Sequence, residues 1–259
     1  MYRVIIMALL ETRHLSKVYG LHTDTEFVAL HDINFEVEEG EMICIMGPSG
    51  SGKSTFINAI STIDYPTSGN VLIDGEEVRA LTGKQIGRFR SSTLGFIFQN
   101  YNLLDTHTLY ENIAMPMSLA KVNQKEQAKR IKELADYLGI TACLNKYPNA
   151  CSGGQKQRAA ICRALVNEPK IIVADEPTGN LDSKNSKRLM DVFKDLNDQG
   201  VTIIMVTHDA LVASYSSRFV YLHDGRIETE LRRGDLSQDE YFEKIMAINA
   251  RESQEVLKQ

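Results

Sequence analysis

Residues 42–46, Met-Ile-Cys-Ile-Met, are apolar at every position. A strand of that pattern is buried on both faces, as in a parallel sheet, and this one runs straight into a Gly/Ser loop and a helical segment expected over 54–63. The loop reads Gly47-Pro48-Ser49-Gly50-Ser51-Gly52-Lys53-Ser54 and is followed by Thr55. It fits GxxxxGK[ST], a spacing in which the glycines let backbone N–H groups converge on a triphosphate. The following helix adds about half a positive charge at its N-terminus. Lys53 then reaches the terminal phosphates, and the Ser54 hydroxyl is placed to hold Mg2+. A plain Gly-rich turn with an exposed lysine is the bland alternative, and the strand–loop–helix setting disfavours it.

Two further strand ends carry reactive side chains. The apolar run 171–174 ends in Asp175-Glu176, where a carboxylate can hold Mg2+ and its neighbour can orient or deprotonate a water. The run 201–206 is followed by Thr207-His208-Asp209. The other histidines read as ordinary structure. His208 differs by position, because all three strand ends should face one crevice. Ser152-Gly153-Gly154-Gln155 precedes an apolar helical pattern and forms a second anion-binding helix start. One ATP needs only one such loop from its own subunit, so the spare one suggests a site completed by another copy.

Strands are expected at 9–18, 27–37, 71–73 and 219–222, with short, turn-rich structure over 64–100. From 105 to 168 the apolar period becomes helical, through Val122, Ala128, Ile131, Leu134, Ala135 and Leu138, which reads as a helical insertion. Ser237-Gln-Asp-Glu240 is a capping-box pattern ahead of Tyr241, Phe242, Ile245, Met246 and Ile248. Strands alternating with helices mean a parallel α/β sheet.

Composition narrows the classes. The chain has 259 residues, 43% hydrophobic and 24% charged, which excludes collagen-like, disordered and disulfide-scaffold proteins. With 29 Lys+Arg against 34 Asp+Glu the formal charge is −5, which argues against holding nucleic acid by general electrostatics. Cys44, Cys143, Cys151 and Cys162 form no CxxC pair and read as free thiols in a reducing compartment. The longest apolar run, 4–10, is far short of the ~20 residues of a spanning helix. It is also a poor signal peptide, and reads as a strand. Met7 begins a plausible shorter chain, so residues 1–6 read as an upstream start that adds nothing to the fold.

Over about residues 9–230 the sequence resembles the nucleotide-binding subunit of an ABC transporter. Residues 47–54 resemble its Walker A loop, Gln99 its Q-loop glutamine and residues 152–155 its signature motif. Residues 171–176 resemble Walker B with Glu176 as the catalytic glutamate, Asp182 the D-loop and His208 the switch histidine. Tyr19 matches the aromatic that stacks on adenine. The resemblance implies an α/β P-loop NTPase fold: a RecA-like parallel sheet core, an antiparallel β subdomain and an α-helical subdomain. It places the nucleotide-binding domain at 1–230, with the helical subdomain inserted at about 100–168, and a C-terminal helical tail at 231–259. It implies an ATPase that binds ATP on Tyr19 and residues 47–55, holds Mg2+ through Ser54, Gln99 and Asp175, and uses Glu176 and His208 in hydrolysis. The signature would act in trans within an ATP-dependent head-to-tail homodimer contacted through Asp182. Gln99 and the insertion would dock a separate membrane permease at the inner face of the cell membrane.

Residues 46–55, 176–182 and 30–35 are similar to the branch that serves macrolide export, lipoprotein release and peptide-antibiotic resistance. Residues 231–238 and the helix after them look most like the bacitracin and lantibiotic resistance type, which brings a sensor histidine kinase, reached through the permease, as a further expected partner. A signalling or mechanotransmitting ABC ATPase, or one for lipoprotein release, is the alternative. An ABC ATPase working on DNA or ribosomes is opposed by the acidic balance and the absence of a long coiled-coil insertion. One position departs from the family pattern: Cys151 stands where the signature is usually introduced by Leu. A thiol at a helix start is expected to have a low pKa and to make the site oxidant-sensitive.

Overall fold

The computed structural model describes residues 8–256. In chain order its elements are β1 (Leu10–Tyr19), β2 (Phe27–Val37), β3 (Met42–Met46), α1 (Lys53–Ile60), β4 (Ser68–Ile73), β5 (Glu76–Glu77), α2 (Lys84–Thr93), β6 (Leu94–Ile97), α3 (Leu109–Leu119), α4 (Gln124–Tyr137), α5 (Gly153–Leu165), β7 (Ile171–Asp175), α6 (Ser183–Asp198), β8 (Thr202–Val206), α7 (Ala210–Ala213), β9 (Arg218–His223), β10 (Arg226–Arg232) and α8 (Gln238–Val256). Most of the apolar run 4–10 lies outside the described residues. Among the described residues no helix is long and apolar enough to cross a membrane.

One sheet has the strand order β10-β9-β3-β8-β7-β6. All its neighbours are parallel except β10, which closes one edge antiparallel to β9. A second sheet, β2-β1-β4-β5, is antiparallel. The uniform apolarity of β3 has a simple cause. Its period of two sends Ile43 and Ile45 into one core, with Leu30, Phe35 and Phe56, and Met42, Cys44 and Met46 into another, with Ile161, Leu189 and Phe193. β7 and β8 divide the same way, Ile171, Val173, Ile204 and Val206 to the first core and Ile172, Ala174, Ile203 and Met205 to the second. Each large apolar side chain so buried contributes ~1.5–3 kcal/mol.

Register sets the site. Ile45 pairs with Val206 and Val206 with Asp175, so the ends of β3, β8 and β7 lie in one row across the sheet. The phosphate-type loop, Glu176 and His208 all leave the sheet from that row.

Two stretches differ from the sequence reading. Residues 64–100 hold more than β4: α2 and β6 also lie there. α2 is polar apart from Ile86 and Phe89, which pack on the first core, and β6 is a four-residue edge strand beside β7. Their order comes from tertiary packing rather than from a local period. After the Asp224-Gly225 turn the chain does not stop pairing but returns as β10. The helical block is α3, α4 and α5, with Ile131, Ala135 and Leu138 buried as expected. The tail helix is capped as its sequence predicts, the Ser237 N–H donating to Glu240 Oε2 at 2.9 Å and the Glu240 N–H to Ser237 Oγ at 3.3 Å. Of its apolar positions Tyr241 and Ile245 are buried, whereas Met246 is exposed.

Candidate active site

The loop after β3 turns on glycines that no other residue could replace. A Cβ on Gly47 would stand 1.9 Å from the Leu222 carbonyl oxygen of β9. Gly52 precedes α1 with φ 98°, a left-handed conformation, and a Cβ there would meet the Ala29 carbonyl oxygen at 2.6 Å. No side chain caps the start of α1, so its first N–H groups face the loop. Lys53 Nζ donates to the carbonyls of Gly47 at 2.8 Å and Pro48 at 2.7 Å. Burial pulls the Lys53 ammonium below its ordinary pKa, while Glu176 and Asp175 push it back up. Asp175 is shifted the other way: burial and then Glu176 raise its carboxyl, and Lys53 lowers it.

A cleft of about 470 Å3 opens over this loop, lined by Gly47, Ser49, Gly50, Gly52, Lys53, Ser54 and Thr55, with Glu176 and His208 on its far side. Pro48 contributes its carbonyl to Lys53, and Ser51 lies buried beneath the loop, its carbonyl accepting from the Gly225 N–H at 3.0 Å. Tyr19 lines the other end of the cleft beside Phe27, its cross-strand partner. The Tyr19 hydroxyl donates to Asp64 Oδ2 at 3.3 Å.

Glu176 is the hub. It is a non-glycine residue with φ 43°, and its N–H donates to the Val206 carbonyl at 2.9 Å, so β8 holds an unfavourable backbone in place. Its carboxylate accepts from Gln99 Nε2 at 2.9 Å on one oxygen and faces His208 Nδ1 at 3.1 Å on the other. Gln99 and His208, from two other strand ends, thus converge on the Glu176 carboxylate at the mouth of the Lys53 loop. That arrangement can bind a nucleoside triphosphate and present a base to a water near its last phosphate.

The ABC transporter family model matches residues 30–179. The bacitracin export ATP-binding protein BceA of Halalkalibacterium halodurans is 47% identical over 241 residues, covering 93% of this chain and 95% of its own. This chain belongs to the ABC transporter family. Another relative, the ABC transporter ATP-binding protein YxdL of Bacillus subtilis, is 45% identical over 93% of both chains. Among solved structures, the dimeric post-hydrolysis state of the ATP-binding cassette MJ0796 bound to ADP and Pi superposes with a TM-score of 0.80 at 39% identity, over 86% of this chain and 98% of that one. The cassette described here is an ATPase domain of the same α/β build.

Not all the family-type motifs of this ABC cassette meet in the cleft. Residues 152–155 start α5, and none of them lines it. The two anion-type helix starts also differ. That of α1 is uncapped by side chains, whereas Ser152 and Gln155 close a capping box, Ser152 N–H to Gln155 Oε1 at 2.9 Å and Gln155 N–H to Ser152 Oγ at 3.3 Å. Asp182 likewise stays outside and caps α6, accepting from the Asn185 N–H and Nδ2, each at 2.8 Å. Those bonds hold its carboxyl below the usual range.

Sequence reasoning missed Phe27, which reads as an ordinary strand residue yet stands 58% exposed and lines the cleft beside Tyr19. It also missed Asn180, whose Nδ2 donates to the Gln99 carbonyl at 2.8 Å. The expectation for Cys151 is corrected. Its thiol is pushed up, by burial first and then by Cys143, more than Lys146 and Lys156 pull it down. Its Sγ donates to the Tyr147 carbonyl at 3.4 Å. A half-buried thiol in that setting is no low-pKa nucleophile.

Proposed function

We propose that this cassette hydrolyses ATP as the motor of a separate membrane permease, in the export of antimicrobial peptides or resistance to them. The observation that supports it most is the Glu176 carboxylate held between Gln99 and His208 at the mouth of the Lys53 loop. In this reading Tyr19 stacks on adenine, residues 47–55 wrap the phosphates, Glu176 orients and deprotonates water, and His208 senses the last phosphate. Ser54, Asp175 and the Gln99 amide oxygen are hard oxygen donors suited to Mg2+, which when bound offsets charge on the phosphates. Ser152–155, absent from their own cleft, cap the ATP of a second copy in a head-to-tail dimer, with Asp182 near the contact. The relative that superposes at 39% identity is itself described as dimeric, which supports this assembly.

The permease would sit at the inner face of the membrane on the groove between β6 and α3, walled by Leu94, Phe96, Phe98, Met115 and Leu119. Similarity to a bacitracin export protein supports the peptide class. Deleting the gene is expected to lower the concentration of bacitracin or of a lantibiotic that arrests growth. Unchanged sensitivity, with ATPase activity intact, would remove the peptide assignment. A membrane pull-down with the tagged chain tests the permease, and with it the sensor histidine kinase reached through it.

A further inference from the structure

The turn that follows Gln99 is fastened to other elements at several points. Arg163, in the later part of α5, donates through its guanidinium to the carbonyls of Tyr101, at 2.7 Å, and Asn102. Tyr101 and Asn102 both have positive φ, 61° and 46°, which asparagine adopts readily but an aromatic residue rarely does unless its surroundings hold it there. The Tyr101 side chain then reaches back to the start of the same helix. The Lys156 ammonium lies 5.3 Å from its ring centroid, and a Cβ on Gly153 would stand 3.2 Å from its hydroxyl. Upstream, Asn180 Nδ2 holds the Gln99 carbonyl at 2.8 Å, and Gln99 Nε2 bonds Glu176 at 2.9 Å.

These contacts form a continuous track of hydrogen bonds and packed atoms, from the Glu176 carboxylate through Gln99 and Tyr101 to Gly153 and Arg163 of α5. Asn180 adds a second link, because a Cβ on Gly153 would also stand 3.6 Å from the Asn180 carbonyl oxygen. We infer that Tyr101 and Arg163 are positioning residues that fix Gln99, in a copy's own ATP cleft, at a set offset from the helix start that the copy offers to its partner. The inference rests on the proposed two-copy site. A copy whose α5 is misplaced relative to its own cleft cannot close both shared sites at once, so hydrolysis would suffer while nucleotide binding to a single copy would not. Arg163 also lines the apolar groove with Phe98 and Met115, so a segment seated there would bear on the same track.

The test uses the full chain with Tyr101→Ala, Tyr101→Phe, Arg163→Ala and Arg163→Lys. Readouts are kcat, KM for ATP, melting temperature, and ATP-driven dimerisation in a Glu176→Gln background by light scattering. The two alanine variants are expected to lower kcat by about tenfold or more, with KM within about twofold, and to weaken the ATP-driven dimer by a similar factor. Tyr101→Phe, which keeps the ring under Lys156, and Arg163→Lys, which keeps one cationic donor, are expected to recover part of the loss. If Arg163→Ala does not fold, Tyr101→Ala decides, because its side chain lies half-exposed on a turn. Tyr101→Ala with kcat within about twofold of the parent, or with a fall in kcat matched by a rise in KM and an intact dimer, would overturn the inference. A parent that neither dimerises on ATP nor hydrolyses it defeats the two-copy reading itself. A parent that does both while the variants match it defeats only the role of Tyr101 and Arg163.

Discussion

Glu176 combines an unfavourable backbone with three directed contacts, a pattern found where geometry matters more than local stability. Its neighbour Asp175 is the last residue of β7, and the bonds of Gln99 and His208 go to Glu176 instead. Glu176→Gln keeps the shape and can still pair with Gln99 and His208 but removes the base. We expect kcat to fall by about 10²–10⁴-fold while ATP binding survives, so that an ATP-bound dimer accumulates on a sizing column. Near-parental turnover would refute the assignment. At Cys151 the raised thiol predicts alkylation by iodoacetamide at neutral pH that is slower in the folded chain than in the denatured one, read by mass spectrometry. Faster labelling in the folded chain would restore the oxidant-sensitive reading. Lys53, Glu176 and His208 were legible in the sequence because each ends or follows a strongly apolar strand. Phe27 was not, since nothing local separates an aromatic on a ligand cleft from one on a core face.

Between elements, the two sheets are tied by an ionic cluster that the sequence did not suggest. Arg218 of β9 is 7% exposed in its side chain and bonds Glu230 of β10 at 2.6 Å. It also donates to the Glu36 carbonyl of β2 at 2.7 Å, lies 3.6 Å from Glu41, and stacks over Phe35 with 4.9 Å to the ring centroid. Arg218→Ala would leave buried Glu41 with only the more exposed Arg232 at 3.1 Å and would free the Glu36 carbonyl and the Phe35 face, so it should cost about 2–3 kcal/mol, measured by urea unfolding. A loss below about 1 kcal/mol would mean that water reaches the cluster. β10 shows how such links escape a local reading. Its alternation, with Ile227 and Leu231 half-buried, was present in the sequence, yet only pairing with β9 turns that weak pattern into a strand. α2 and β6 had still less to offer, and Gly95 of β6 is needed because a Cβ there would stand 2.5 Å from the Ala164 carbonyl of α5.

At the scale of the whole molecule, the cleft and the start of α5 are separate surfaces joined by the turn after Gln99, and an apolar groove opens on the other side of that turn. Leu119 at the rim of the groove is 77% exposed and shares the groove with Phe96, Phe98 and Met115, and a grouped apolar surface of that kind, unlike a lone exposed leucine, fits a partner. Leu119→Glu should abolish co-purification of a permease from membranes while changing stability by less than about 1 kcal/mol. Retention of the permease would move the docking surface elsewhere.

The sequence by itself determined the chemistry available: a phosphate-type loop, a carboxylate pair and a histidine, each behind a strand whose unbroken apolarity demands burial on both faces. Those are local properties, written in residue type and period. Only the tertiary structure decided which of them meet. Gln99 and Glu176 lie 77 residues apart and touch because β6 and β7 pair in a register that puts Ile97 beside Ala174, and strand order and register follow from packing over the whole sheet. The same packing leaves Ser152 outside its own cleft.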